Sequence, residues 1–157
     1  MLFRSYAFTV PAGWKGRRVN IVFDGSMTDT EVKVNGKSAG RIHQGSFYRF
    51  KYDLSALLRY GRSNLLEVTV SKESSNHSVN MAERHCDFWI FGGIYRPVFL
   101  EALPAQHIGA ESIDARADGQ FAAAVKLEGI RGADKLTAQV YSTAGNKVGE
   151  PFSAEIH

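Results

Sequence analysis

The residues from Asp87 to Arg96 form the densest group of side chains suited to ligand chemistry in this sequence. Four aromatic side chains, two adjacent glycines, one carboxylate and one guanidinium fall within ten positions. Aromatic faces pack on the C–H groups of sugar rings, carboxylates accept hydrogen bonds from hydroxyls, and glycine permits close backbone approach. This pattern indicates a surface that binds sugar hydroxyls, with Asp87 as the first candidate.

The same side chains also have a purely structural interpretation. Asp87 is equally suited to cap the chain or to pair with Arg84 or Arg96. We expect most of the aromatic rings, at alternate positions, to pack into a core, and only one or two to be exposed as a stacking surface. The rings concerned are those of Trp89, Phe91 and Tyr95.

Metal ligation and catalysis are weakly supported. His77, His85, Cys86 and Asp87 match no zinc spacing, and the adjacent His85 and Cys86 side chains point apart in extended backbone. Glu83 and Asp87 would share a face only on a helix. Residues 71–86 are polar without helical or strand period, so we do not predict a catalytic carboxyl pair there.

Period-2 alternation of apolar residues predicts six or more half-buried strands. The alternating sets are Tyr6/Phe8/Val10, Val19/Ile21/Phe23, Val32/Val34, Tyr48/Phe50/Tyr52, Leu66/Val68/Val70 and Val98/Leu100. Asn35–Gly36 favours a hairpin turn, and Gly92–Gly93 a tight turn before a strand over 95–101. Asp53 as N-cap, then Leu54–Leu58, predicts a short helix. The whole predicts an all-β sandwich.

The composition changes after residue 104, where aromatic residues become scarce. We therefore predict one domain over 1–105 and a second over 106–157. The second stretch has alternating sets and turn signals at Asp118–Gly119 and Ala144–Asn146. It supplies about half of the roughly 100 residues of an immunoglobulin-like sandwich, so a truncated domain of that type is expected.

Bulk composition narrows the function classes. The net charge is only +3, with no basic stripe interleaved with aromatic residues, which argues against a nucleic-acid partner. The single cysteine excludes an internal disulfide. The sequence contains no run of about 18 apolar residues, so no membrane span is predicted. No signal peptide is seen at the start, and the compartment stays open.

Several separated motifs resemble the N-terminal sugar-binding domain of glycoside hydrolase family 2, the β-galactosidase, β-glucuronidase and β-mannosidase group. They are Phe23–Gly25, Val32–Lys37 with Gly40, Phe47–Phe50, Tyr52–Ser55, Gly61 with Asn64–Val70, Asp87–Trp89 and Gly92–Val98. The resemblance covers about residues 3–103. Residues from about 106 resemble the start of that family's immunoglobulin-like domain.

The resemblance implies a jelly-roll, galactose-binding-like sandwich in a retaining exo-glycosidase whose downstream (β/α)₈ barrel supplies both catalytic glutamates. No catalytic residue is then expected here, and this fragment should be inactive alone. Asp87 matches the aspartate that contacts the terminal sugar. Arg84, His85 and Trp89 are weaker substrate-binding candidates. No cofactor is expected beyond a sodium or magnesium ion in the full-length enzyme, with Asp87 as a sodium ligand.

Three functions remain open at this point. The leading one is support of the barrel and supply of Asp87 to the subsite of a terminal β-linked sugar, in a β-galactosidase-like enzyme that could assemble as a homo-oligomer. The second is a stand-alone carbohydrate-binding module. The third is a structural domain whose 71–96 loop docks onto another domain. The sugar and its linkage are not decided by these residues.

Overall fold

The computed structural model describes residues 1–85, 87–132 and 135–156. Cys86, considered above as a metal ligand, lies outside these ranges. The contacts divide the chain into two compact units, with the division between Pro104 and Ala105. Strands dominate both units, which confirms the all-β prediction. Within these ranges no helix has the length and apolar character needed to cross a membrane.

The first unit is a β-sandwich with one short α-helix. Its strands are β1 (Leu2–Thr9), β2 (Arg18–Phe23), β3 (Ser26–Met27), β4 (Asp29–Val34), β5 (Lys37–Ser38), β6 (Phe50–Asp53), β7 (Ser63–Ser71), β8 (Gly93–Ile94) and β9 (Val98–Leu103). A 3-10 turn covers Ala12–Trp14, and helix α1 covers His77–Arg84. The segment that carries Asp87 joins α1 to β8.

Two antiparallel sheets enclose a common apolar core. One has the strand order β1-β7-β4-β5 and the other β6-β2-β9, while β3 pairs with β8. Alternate residues of the strands meet between the sheets, namely Val19, Ile21, Phe23, Val32, Val34, Val68 and Val70, all at most 2% exposed. The predicted sandwich is therefore confirmed. The apolar residues at every second position are the ones that face inward.

The Asn35–Gly36 hairpin is also confirmed. Both residues have positive φ, 53° and 77°, as a type I′ turn requires, and β4 pairs with β5 on either side of them. The Asn35 side chain donates to the carbonyl of Leu57 and to Asn64 Oδ1, both at 2.9 Å. These bonds fix the hairpin tip to the neighbouring turn.

The helix predicted after Asp53 is wrong, because the segment forms only turns. The amides of Leu57 and Leu58 donate to the carbonyl of Leu54 at 2.8 and 3.2 Å, and no helix is formed there. Five residues are too few to offset the cost of helix nucleation. Leu54 and Leu58 are nevertheless buried, so core packing fixes this segment.

The expectation that residues 71–86 contain no helix is wrong as well. Helix α1 has no buried residue, so it leaves no apolar period in the sequence. Its start is fixed by Asn76, whose side chain accepts from the Ser78 amide at 3.0 Å. Glu83 lies on this helix, whereas Asp87 follows its end, so the two do not form a helical i, i+4 pair.

The second unit contains two antiparallel hairpins. Its strands are β10 (His107–Ala115) with β11 (Phe121–Glu128), and β12 (Lys135–Tyr141) with β13 (Lys147–Glu155). The turn signals at Asp118–Gly119 and Ala144–Asn146 lie at the two hairpin ends, as predicted. The Gly119 amide donates to Arg116 O at 3.1 Å, and the Gly145 amide to Ser142 O at 2.9 Å.

Candidate functional site

Asp87 lies on an exposed loop between α1 and β8. Among the described residues its carboxylate forms no ion pair with Arg84 or Arg96. Arg84 instead donates to the carbonyl of Lys72 at 3.1 Å and lies 3.6 Å from the Glu73 carboxylate. The ion-pair interpretation of Asp87 is therefore not found, and its carboxylate is accessible to a ligand.

The expectation that most aromatic rings of this run are buried is wrong. Trp89 is 82% exposed, Phe91 61% and Phe88 41%. The loop passes over the surface of the sandwich, so its rings pair with one another or with a neighbouring segment instead of entering the core. Phe91 stacks on Tyr95 at a centroid distance of 5.2 Å, and Phe88 packs edge-on against Phe47 at 4.7 Å.

The glycine pair has the backbone freedom that the predicted tight turn would use, but no turn is assigned there, since Gly93 is the first residue of β8. Gly92 and Gly93 have φ of 78° and 77°, and a Cβ at Gly93 would lie 2.6 Å from Leu2 Cδ2. The strand predicted over 95–101 starts later, since β8 ends at Ile94 and β9 begins at Val98. The chain therefore leaves the loop through a short pairing of β8 with β3.

Ser46, which is fully buried, binds both ends of the loop. Its amide donates to Glu83 Oε1 at 2.8 Å, and its hydroxyl donates to Glu83 Oε2 at 2.7 Å. The Tyr95 hydroxyl donates to the Ser46 carbonyl. Glu83 precedes Asp87 by four residues and Tyr95 follows it by eight, so one buried residue closes the loop from both sides.

Phe47 adds two further contacts to the same loop. Its ring meets that of Phe88, the neighbour of Asp87, and its carbonyl accepts from Arg96 Nη1 at 3.4 Å. Arg96 also donates to the Asp24 carbonyl at 3.4 Å. Residues 46 and 47 thus support the loop at Glu83, Phe88, Tyr95 and Arg96.

The start of α1 is bound to strand β4 through Asp29. The Asp29 carboxylate accepts from the Ser75 amide at 2.8 Å, the Ser75 hydroxyl at 3.0 Å and the Gln44 amide at 3.2 Å. Burial raises the pKa of this carboxyl, but the neighbouring Ser74 hydroxyl and the hydrogen bonds from Ser75 and Gln44 together hold the pKa below its usual value. Asp29 is therefore ionised at neutral pH and anchors α1.

Two further titratable groups near these anchors are neutral at neutral pH. Burial raises the pKa of the Tyr95 hydroxyl, so the phenol keeps the proton that it donates to Ser46. Burial lowers the pKa of His43, whose ring stacks on Phe50 at 3.6 Å between centroids. Neither group therefore carries a charge near Glu83 and Asp29 at neutral pH.

The sequence pattern predicted the loop but not its supports. His85 is exposed at the end of α1, beside Asp87 in sequence. Ser46, Glu83 and Asp29 were not predicted as parts of this site. The only local signal was Asn76, a preferred N-cap residue that follows two serines.

The described residues provide no group of three or more His, Cys, Asp or Glu side chains that could hold a metal ion. One carboxylate is too few for the oxygen-rich coordination that Mg²⁺ or Ca²⁺ requires. Asp87 alone therefore does not make a complete ion site within the described part of this chain.

Comparison with known proteins gives a consistent family. Residues 2–104 match the model described as glycosyl hydrolases family 2, sugar binding domain. A β-galactosidase of Thermoanaerobacter pseudethanolicus is 39% identical over 103 residues, covering 64% of this chain and 14% of that protein. A β-galactosidase of Clostridium acetobutylicum is 31% identical over 160 residues, covering 95% of this chain and 17% of that protein.

A solved structure agrees. The β-glucuronidase of Faecalibacterium prausnitzii has a TM-score of 0.73 at 28% identity, covering 98% of this chain and 30% of that protein. The chain thus spans less than a third of each of these relatives. Since the family model covers residues 2–104, about two thirds of the sequence, this chain belongs to glycosyl hydrolases family 2, as a sugar-binding domain with the residues that follow it.

Proposed function

We propose that this chain is the non-catalytic N-terminal part of a retaining exo-glycosidase of the β-galactosidase type. In this proposal it supports the downstream (β/α)₈ barrel, which holds both catalytic glutamates, and contributes Asp87 to the subsite of a terminal β-linked sugar. The observation that carries the proposal is the exposed Asp87 carboxylate on a loop closed at both ends by Ser46. The matches to β-galactosidases support the substrate class.

The chemistry assigned to this chain is recognition of hydroxyl groups. An ionised carboxylate accepts short hydrogen bonds from two neighbouring hydroxyls, and each such bond contributes about 1.5–3 kcal/mol when water is excluded. The exposed face of Trp89 offers a packing surface for the C–H groups of the ring or the leaving group. His85, two residues before Asp87 in the sequence, is a secondary donor, whereas Arg84 is already bonded to Lys72.

The test is substitution of Asp87 in the full-length enzyme. Loss of two hydrogen bonds to a charged group predicts that Asp87→Ala lowers kcat/KM by about 10²–10⁴-fold, since 1.4 kcal/mol corresponds to tenfold. Asp87→Asn retains one acceptor oxygen and should show a smaller loss. Asp118→Asn, an exposed carboxylate in a hairpin turn of the second unit, is the control. A wild-type kcat/KM in Asp87→Ala would refute the proposal.

A second candidate, a stand-alone carbohydrate-binding module, is favoured by one observation. Trp89 is 82% exposed, a degree unusual for tryptophan unless it contacts a partner. Under this alternative the 157-residue chain alone binds galactosides or glucuronides, and Trp89→Ala removes the binding. Isothermal titration that yields no heat with either sugar class would exclude the module and leave the first proposal standing.

A further inference from the structure

We propose that Glu83 is a positioning residue, which holds Asp87 in place for the sugar by binding the buried Ser46. This inference rests on the function proposed above for Asp87. Glu83 itself points into the sandwich, since both of its carboxylate oxygens accept hydrogen bonds from Ser46. It therefore acts on the substrate only through the position of the loop.

The bonds at Ser46 are well suited to fix a loop. Both join a Glu83 carboxyl oxygen to a fully buried partner, at 2.7 and 2.8 Å, which is the short distance range of charge-assisted hydrogen bonds. The Ser46 hydroxyl oxygen also lies 3.3 Å from Thr28 Oγ1, and the Thr28 hydroxyl donates to the carbonyl of Lys72 at 3.1 Å. Ser46 is thus buried and lies beside Thr28, which is bonded to the residue that follows β7.

Little apolar packing is available to replace this anchor beyond the edge-on contact of Phe88 with Phe47. Helix α1 has no buried residue, and the rings of Phe88, Trp89 and Phe91 are exposed. Loops with few buried apolar contacts open locally at low free-energy cost. Polar bonds at Glu83 and Tyr95 must therefore supply most of the order in the residues between them.

The distances along the chain make the effect on Asp87 direct. Asp87 is four residues beyond Glu83. The chain between them spans at most about 14 Å when fully extended, and a folded loop spans far less, so Asp87 stays close to the fixed Glu83. Without the Glu83 bonds, the contact that remains nearest on that side is the Arg84 guanidinium on the Lys72 carbonyl at 3.1 Å, a single bond at the surface, whereas Glu83 makes two bonds to a buried residue. A displacement of about 1 Å in a positioning group can lower turnover by about 10²-fold.

A double-mutant cycle in the full-length enzyme tests the role. Glu83→Ala should lower kcat/KM by about 10- to 100-fold in the wild-type background. In the Asp87→Ala background the same change should have less than a twofold effect, because the group that it positions is gone. Glu83→Gln, which keeps an acceptor oxygen for the Ser46 amide, should restore most of the activity.

Two further variants keep the test decisive. Tyr95→Phe removes only the hydroxyl that donates to Ser46, and it should show the same dependence on Asp87 even if Glu83→Ala folds poorly. The control for lost stability is Glu101→Ala. Glu101 lies on β9, and its carboxylate accepts a hydrogen bond from the Asn20 side chain at 3.0 Å. The substitution should lower the melting temperature without lowering kcat/KM.

The outcomes separate this inference from the proposed function. Equal losses in both backgrounds would show that Glu83 serves only the fold, and they would overturn the inference. Wild-type activity of both Glu83→Ala and Tyr95→Phe would also overturn it, while a low kcat/KM in Asp87→Ala would leave the proposed function intact. Wild-type activity of Asp87→Ala would refute the proposed function itself.

Discussion

Replacement of Asp29 tests how the sandwich holds helix α1. Asp29 is 8% exposed, and one of its carboxylate oxygens accepts three hydrogen bonds from Ser75 and Gln44. Asp29→Ala removes all three, whereas Asp29→Asn keeps an acceptor but removes the charge. The two substitutions therefore separate the contribution of the charge from that of the hydrogen-bond geometry.

The expected size of the effect follows from these bonds. A hydrogen bond to a charged group contributes about 1.5–3 kcal/mol, but the contributions do not add fully when the bonds share one acceptor. Ser75 is exposed and Gln44 is partly exposed, so their donors regain water after the substitution. We expect Asp29→Ala to lower the free energy of unfolding by about 2–4 kcal/mol, and Asp29→Asn by about 1–2 kcal/mol.

The pH dependence gives a sharper test. Hydrogen bonds hold the pKa of Asp29 below its usual value of about 3.9, despite burial, which raises it. A carboxyl with a depressed pKa in the folded state stabilises the fold above the unfolded value, and this stability is lost as the pH falls through the folded value. The difference in stability between wild type and Asp29→Asn should therefore be full above about pH 5 and shrink as the pH falls below that value.

The assay is urea unfolding of the 157-residue chain, with tryptophan fluorescence as the signal. It is repeated at several pH values between about 2.5 and 7, a range that spans the expected transition. Trp14 packs against the core, so its signal reports on the first unit. Equal differences between wild type and Asp29→Asn at about pH 7 and below about pH 3 would refute the assigned charge contribution. A change below about 0.5 kcal/mol for Asp29→Ala would refute the anchoring itself.

Two further substitutions test the sandwich and the loop turn by the same urea titration. Asn64→Ala should lower the free energy of unfolding by about 3 kcal/mol, because the buried Asn64 side chain makes four hydrogen bonds, to Asn35, Arg59 and Arg62. A loss below about 1 kcal/mol would contradict the expected contribution of these bonds. Gly93→Ala should cost about 1–2 kcal/mol or more, since φ is 77° and the new Cβ would meet Leu2; unchanged stability would show that the turn relaxes freely.

The parts of the fold that were predicted correctly share a local cause. Val19, Ile21 and Phe23 occupy every second position along β2, and all three face the core. Successive side chains of a strand point to opposite faces, so the apolar positions identify the buried face. Asn35–Gly36 likewise predicted its turn from the positive φ that few other residue pairs tolerate. Neither inference needed knowledge of distant residues.

The parts that were missed depend on contacts far apart in sequence. Helix α1 is held by a cap and by polar bonds, so no apolar period marks it. Ser46 lies 37 residues from Glu83 and 49 from Tyr95, and nothing near Ser46 indicates either contact. The exposed rings of Trp89 and Phe91 were expected in the core, because sequence alone does not show that the loop passes outside the sandwich.

The polar anchoring of the loop is consistent with the role that we propose for Asp87. Burial of the loop would fix it more simply, but burial also raises the pKa of a carboxyl and removes it from its ligand. The carboxylate must therefore stay exposed while the chain on either side is fixed. Glu83 and Tyr95 meet that condition, because they enter the sandwich on both sides of Asp87 and bind the same buried residue. The position of Asp87 is thus set by residues that need not touch the sugar.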